Sequence, residues 1–214
     1  MALVAAAYAA PAKADLQHRG PYVGVQVGHG TGAPEVENNY NGNNGKSDIH
    51  ADGVLGGIFA GWAHSFGKFF IAGEISGEMS NFDGKTSEPA VPYSQKIKRK
   101  DKFGVNLRVG MDCKNVTPYI TAGWTNAKWE LRTGFPAAAG GETKKSNRHN
   151  GYEVGFGVDV EASKNLTVGG QYTHARYSSK TIQHFTSNSS KLKPMENIFK
   201  IRAAWHFNIG GAAA

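Results

Sequence analysis

The sequence predicts an all-β fold: an up-and-down antiparallel transmembrane β-barrel of about eight strands, with short periplasmic turns and long external loops. Three observations carry that prediction. Segments of about ten residues with period-2 alternation recur down the chain, each bounded by turn residues. The connections between them alternate short and long. No stretch approaches the roughly 20 continuous apolar residues of a spanning helix, so a membrane passage has to be made by strands.

The chain has 214 residues, 40% of them hydrophobic, and 28 glycines, which suits one domain. Its mean hydropathy of -0.42 alone would suit a soluble protein. Residues 1–14, MALVAAAYAAPAKA, read as a signal peptide remnant, because an apolar stretch is followed by Pro11 and the small-x-small step Ala12-Lys13-Ala14, with cleavage expected after Ala14. Residues 15–207 form the expected barrel domain and 208–214 a short C-terminal tail.

The first two strands, Tyr22 to His29 and Val54 to His64, are glycine-rich and alternate loosely. In Phe69 to Ser80, Phe69, Ile71, Ile75 and Met79 oppose Ala72, Glu74, Ser76 and Glu78. Phe103 to Met111 is cleaner, with Phe103, Val105, Leu107, Val109 and Met111 on one face and Gly104, Asn106, Arg108 and Gly110 on the other. Such dyad alternation belongs to a strand, whose successive side chains point to opposite faces. Tyr119 to Trp129 follows, less regular. Tyr152 to Ala162 sets Tyr152, Val154, Phe156, Val158 and Val160 against Glu153, Gly155, Gly157, Asp159 and Glu161. Leu166 to Tyr177 is again glycine-rich, and Phe199 to Phe207 opposes Phe199, Ile201, Ala203, Trp205 and Phe207 to Lys200, Arg202 and His206. Aromatic residues sit near many strand ends, as they do at membrane interfaces.

Short connections fall near His64 to Lys68, Asp112 to Thr117 and Ser163 to Asn165, and long ones near Gly30 to Gly53, Ser80 to Lys102, Leu131 to Asn150 and Arg176 to Glu196. In lipid the apolar faces point outward to the acyl chains and the polar faces fill the interior. The acids Glu74, Glu78, Glu153, Asp159 and Glu161 and the bases Arg108, Lys200 and Arg202 are therefore expected to pair in a narrow lumen, where an unpaired charge would be costly. A soluble lipocalin-like carrier is the alternative, and it would place apolar residues inward instead.

These segments resemble the small porin-like surface proteins of alphaproteobacteria, whose barrel is similar to the OmpA transmembrane domain. The resemblance is carried by Gly20-Pro21-Tyr22-Val23-Gly24, by Gly73-Glu74-Ile75-Ser76-Gly77, by Asn106 to Gly123, and most fully by Gly151 to Tyr177. The closing Trp205-His206-Phe207 looks like the terminal aromatic signal read by the outer-membrane assembly machinery, and the likeness covers most of the mature chain. Gln171 stands where the family usually has Glu, and the family's chain usually ends on the terminal Phe, whereas here Asn208 to Ala214 follow. The resemblance implies location in the bacterial outer membrane. It also brings haem-binding surface protein and small porin as alternative functions; His50, His149 and His184 are the haem candidates, since imidazole is a common axial ligand.

Eight strands enclose an interior that side chains just fill, so an open pore is not expected. Function then falls to the external surface. The second loop carries six bases against three acids and the third four against one, as does the fourth; the first carries one base against four acids. Lys96, Lys98, Arg99, Lys100, Lys144, Lys145, Arg148, Lys191 and Lys193 form the expected basic loop surface, which should attract lipopolysaccharide phosphates or anionic glycans. Nucleic acid is not an expected partner, because the run from Lys96 to Lys102 lacks interleaved aromatics. No cofactor and no enzymatic role are expected. His64-Ser65 falls in a short turn on the periplasmic side, and Asp48, His50 and Asp52 make only an isolated D-x-H-x-D. Cys113 is an unpaired turn residue.

Overall fold

The structure is a computed structural model that describes residues 20–32, 35–40, 43–48, 51–87, 94–113, 115–134, 142–183 and 188–207. Its elements are β1 (Gly20–Gly32), β2 (Glu35–Tyr40), β3 (Asn43–Asp48), β4 (Ala51–Phe66), β5 (Phe69–Ser87), β6 (Ser94–Met111), β7 (Val116–Gly134), β8 (Glu142–Ser163), β9 (Leu166–Tyr177), β10 (Lys180–Gln183), β11 (Asn188–Lys193) and β12 (Met195–His206). Eight of them close an antiparallel barrel in the order β1-β12-β9-β8-β7-β6-β5-β4, and β10-β11-β2-β3 form a second sheet. Following the register once around from Ala63 through Ala72, Arg108, Thr121, Gly155, Thr173, Ile198 and Gly30 returns to β4 at Gly53, ten residues up the strand. That stagger tilts the strands and fixes an interior of side-chain width.

The hydrophobicity is inverted as lipid demands. Ile58 is 69% exposed and Phe156 61%, while Glu153 is 1% exposed. Apolar side chains stand outward along every barrel strand and charges face in, which excludes a lipocalin-like apolar cavity. The short connections lie where expected. Phe66 pairs with Phe69 around Gly67-Lys68, where Gly67 adopts φ +63°, a left-handed conformation that glycine takes without a Cβ penalty. Ser163 pairs with Leu166 at the other hairpin.

The long connections depart from expectation. Most of 80–102 and 131–150 is strand, with β5 and β6 paired up to Ser87 and Ser94 and β7 and β8 up to Gly134 and Glu142. The other two long connections supply the small sheet. Above the hydrocarbon both faces of a strand can meet water, so Lys, Ser and Thr occupy alternate positions without an apolar rhythm while the backbone ladder continues. Residues 1–14 and 208–214 lie outside the described residues.

One irregularity positions the charged residues. Lys102 pairs with Ala127 and Arg99 with Trp129, so against β7 the β6 strand holds one extra residue at Lys100-Asp101, while against β5, where Glu78 and Phe82 face the same two residues, it is one residue short. Such a bulge reverses which side of the strand each parity faces. Below it Phe103, Val105, Leu107 and Val109 point to lipid; above it Lys96, Lys98 and Lys100 point outward while Ile97 and Arg99 turn in.

Candidate functional site

Two charged arrangements stand out, one inside the barrel and one on its outer wall. The lumen holds two separate ionic sets. In the upper set Glu78 accepts hydrogen bonds from Arg99 at 2.9 Å, Lys200 at 2.5 Å and Gln26 at 3.0 Å. Glu196 accepts from Arg99 at 2.6 Å, Lys102 at 2.9 Å and Tyr177 at 2.6 Å. Lys102 also donates to Glu153 at 2.5 Å, whose other oxygen accepts from Asn106 at 2.9 Å. Three acids face three bases, so this set is neutral.

In the lower set Glu74 accepts from Arg202 at 2.6 Å, Tyr22 at 3.1 Å and Arg108 at 3.4 Å, and Arg108 reaches Asp159 at 2.5 Å. Gln171 accepts from Arg202 and, at 3.3 Å, from Tyr119. Two acids meet two arginines, so this set is neutral too. A glutamate at 171 would leave it with one excess negative charge, which gives a physical reason for the glutamine that departs from the family pattern. The guanidinium of Arg108 lies 3.8 Å from the Tyr119 ring centre and that of Arg202 3.9 Å from Phe59, adding cation–π attraction.

Apolar clusters close both ends. Tyr22, Phe59, Phe70 and Tyr119 form the periplasmic floor, and Leu55, Phe82 and Ile198 together with Ile97, Trp129 and Tyr177 form the outer ceiling. Reconstituted protein should accordingly give no steady porin-size steps in planar-bilayer recordings at neutral pH, and their appearance would show that the packed lumen opens.

Of the residues expected inside, Glu74, Glu78, Arg108, Glu153, Asp159, Lys200 and Arg202 are all buried there. Glu161 shares the inward parity of β8 but sits half-buried near the short turn. Arg99 is a correction: expected on the exposed basic surface, it is 1% exposed inside the barrel, because the β6 bulge turns it inward. Lys102 and Glu196, counted above among loop charges, are likewise buried in the upper set. His149 is another correction, since it points inward, 1% exposed, with Nδ1 3.1 Å from the Ser178 carbonyl oxygen. His50 and His184 lie outside the described residues, so no haem site comes together among the described ones. Nor do they contain a group of three or more metal-ligating side chains.

The outer wall carries the second arrangement. Immediately above the apolar belt, Asn81, Asn126, Asn150 and Asn197 stand outward on β5, β7, β8 and β12. Asn126 donates to Asn150 at 2.6 Å and accepts from Arg148 at 2.8 Å. Amides at this height suit a headgroup layer rich in donors and acceptors. Higher on β5 to β8 come Lys96, Lys98, Lys100, Lys128, Arg132, Lys144 and Arg148, interspersed with Asp83, Asp101 and Glu130. Seven bases against three acids leave an excess of four positive charges. The outward positions at similar height on β9, β12, β1 and β4 carry one base, Arg176, and one acid, Asp52. The positive charge is therefore confined to one sector of the described wall.

The acids hold the bases in place. Asp83 sits 3.4 Å from Lys96 and 3.3 Å from Lys98, and Asp101 pairs with Arg148. Glu130 lies under Arg132 at 2.7 Å, Lys100 at 3.2 Å and Lys144 at 3.6 Å. Desolvation alone would raise its carboxyl, but hydrogen bonds from Arg132 and Lys100 and the charges of Lys100 and Lys144 outweigh it and hold the pKa at about 2. Any stability this gives is present above the ordinary carboxylate range and is lost only as pH falls through about 2. Of the expected basic surface, Lys96, Lys98, Lys100, Lys144 and Arg148 lie in this sector. The side chains of Lys145, Lys191 and Lys193 are outside the described set. The assembly-signal residues Trp205 and Phe207 face outward at the periplasmic end, 48% and 45% exposed.

Comparison with known proteins gives a consistent picture. A family model described as outer membrane protein beta-barrel domain matches residues 1–207. The 25 kDa outer-membrane immunogenic protein of Brucella canis is 26% identical over 161 residues, 75% of this chain and 66% of that protein's length. The chain thus spans a little under two thirds of that relative. The outer membrane protein OprG of Pseudomonas aeruginosa has the same fold, with TM-score 0.57 and 13% identity over 89% of this chain and 98% of that one. The outer membrane protease OmpT of Escherichia coli gives TM-score 0.54 and 10% identity over 89% and 97%.

Proposed function

The chain belongs to the outer membrane β-barrel domain family, and on that premise we propose that it is a structural, non-catalytic barrel whose cationic outer wall binds the phosphates of lipopolysaccharide. It resides in the bacterial outer membrane. The observation that carries the reading is position: among the described residues the excess of bases begins directly above the apolar belt, at the height of the outer-leaflet headgroups, and occupies one sector of the wall. Each Lys or Arg near an anionic surface contributes about 1 kcal/mol, so a sector of this charge density gains more than scattered loop bases would. Anionic glycans share the same chemistry and would meet the upper bases Lys96, Arg132 and Lys144. In assembly, Trp205 on β12 and Phe207 just after it are the proposed signal for the outer-membrane machinery.

The test is binding of lipopolysaccharide to folded protein carrying Lys98→Glu, Lys100→Glu and Lys128→Glu together. None of the three side chains enters the lumen, so the heat-dependent gel shift of the barrel should be retained. Affinity should fall about 100-fold, and the wild-type affinity should decline steeply with salt. Unchanged affinity, or equal binding of lipopolysaccharide stripped of phosphate, would refute the headgroup reading.

A further inference from the structure

We propose that a furrow on the lipid-facing wall seats one acyl chain of the same phosphorylated lipid, so that headgroup and chain are held together as a single glycolipid site. The proposal rests on the headgroup reading above. The furrow has a volume of about 750 Å³ and is lined by, among others, Val25, Ile58, Ala60, Ile75, Gly77 and Phe103. That size falls within the roughly 300–1,000 Å³ of small-molecule sites.

Its shape follows from alternating large and small outward residues. Ile58 and Ile75 protrude, 69% and 53% exposed, while Gly77 and Ala60 sink the floor between them. Ile58 pairs with Gly77 and Ala60 with Ile75, so each branched side chain stands beside a small one and the low positions join diagonally across β4 and β5. Lipid tails are as apolar as the wall, so burial from water cannot favour one lipid over another here. What a furrow adds is dispersion contact on two sides of a chain. That gain selects a particular lipid only when something fixes its headgroup overhead.

The wall supplies that connection. At the upper end Gly77 pairs with Phe103, and Phe103 lies three residues below Lys100 on β6. A chain entering beside Phe103 therefore hangs from a headgroup at Lys100 and Lys98. The occupant is a multi-acylated phosphosaccharide lipid; a soluble glycan has no chain for the furrow, and a dephosphorylated lipid has no hold on the bases.

Glycine geometry provides a matched pair of variants. A Cβ built on Gly77 meets nothing within 4 Å, and the same holds for Gly73 on the same outward face of β5, but only Gly77 is among the lining residues. Gly77→Leu and, from the neighbouring strand, Ala60→Leu should fill the furrow without disturbing the barrel, and Gly73→Leu is the control. Native mass spectrometry of folded protein with bisphosphorylated lipid A should give dissociation constants raised about threefold or more by Gly77→Leu and by Ala60→Leu. Gly73→Leu should leave the value unchanged, as should all three variants with a chainless glucosamine bisphosphate. The furrow proposal is overturned if the filled variants match Gly73→Leu, or if they weaken dephosphorylated lipid A equally. Failure of the headgroup reading looks different: the lysine reversals would then leave lipid A binding intact. Should Gly77→Leu not assemble, Ala60→Leu decides alone.

Discussion

Glu196→Ala should destabilise the barrel by about 3–5 kcal/mol, the cost typical of removing one partner from a buried ion pair. Glu196 is fully buried and accepts hydrogen bonds from Arg99, Lys102 and Tyr177. Alanine leaves three cations, Arg99, Lys102 and Lys200, sharing the two remaining acids, Glu78 and Glu153, and turns a neutral set into one with a net positive charge. The ceiling of Phe82, Ile198, Trp129 and Tyr177 keeps water from hydrating the surplus, and Arg99 cannot withdraw, because the β6 bulge commits it to the interior. Glu196→Gln should cost less, since an amide still accepts from Tyr177 and one cation. The measurement is the urea midpoint at which the fast-migrating folded gel band converts to the slow unfolded one. Equal midpoints for wild type and Glu196→Ala would mean that the lumen is hydrated enough to screen these charges, and the filled-lumen description would fall with it.

How far Glu196 and its partners were legible in the sequence depends on phase. Glu196 and Lys102 keep the inward parity of Lys200 and Arg108, so extending the period-2 pattern past the last apolar residue would have found both. They were lost because the apolar partners that make alternation visible stop at the hydrocarbon boundary, while the strand does not. Arg99 was beyond reach of the same reasoning. It lies one residue out of phase with Lys102, and only the extra residue at Lys100-Asp101 brings it inside; nothing in the run KIKRKDK distinguishes a bulge from a loop. The eight strands, by contrast, were readable because lipid outside and a narrow polar lumen inside impose opposite demands on adjacent residues. The cationic wall was readable as composition but not residue by residue, since its membership depends on which charges face outward, and Arg99 and Lys102 of the same run turn in.

Gly157→Val should cost about 3 kcal/mol, the upper end of the overpacking range, although it adds apolar bulk and favours a strand locally. The interior is narrow enough that its large rings have room only where a facing position lacks a side chain. Phe59 lies over Gly24, Tyr22 over Gly61, Phe70 over Gly110 and Tyr119 over Gly157, so four floor aromatics each occupy the place of a missing Cβ. At Gly157 a Cβ would stand 2.5 Å from Tyr119 Cζ and 2.7 Å from the Gly170 carbonyl oxygen. The backbone of β9 cannot yield without breaking its ladder, so the ring must leave. With it go the stacking on Arg108 and the hydrogen bond to Gln171, and the floor opens beneath the lower ionic set. Gly73→Val, outward and unobstructed, should change the unfolding free energy read from the urea transition by less than about 0.5 kcal/mol. If the two valines behaved alike, these glycines would matter for backbone freedom alone. A large difference between them would establish that the glycine-rich sequence of the inward faces encodes the packing that shuts the barrel.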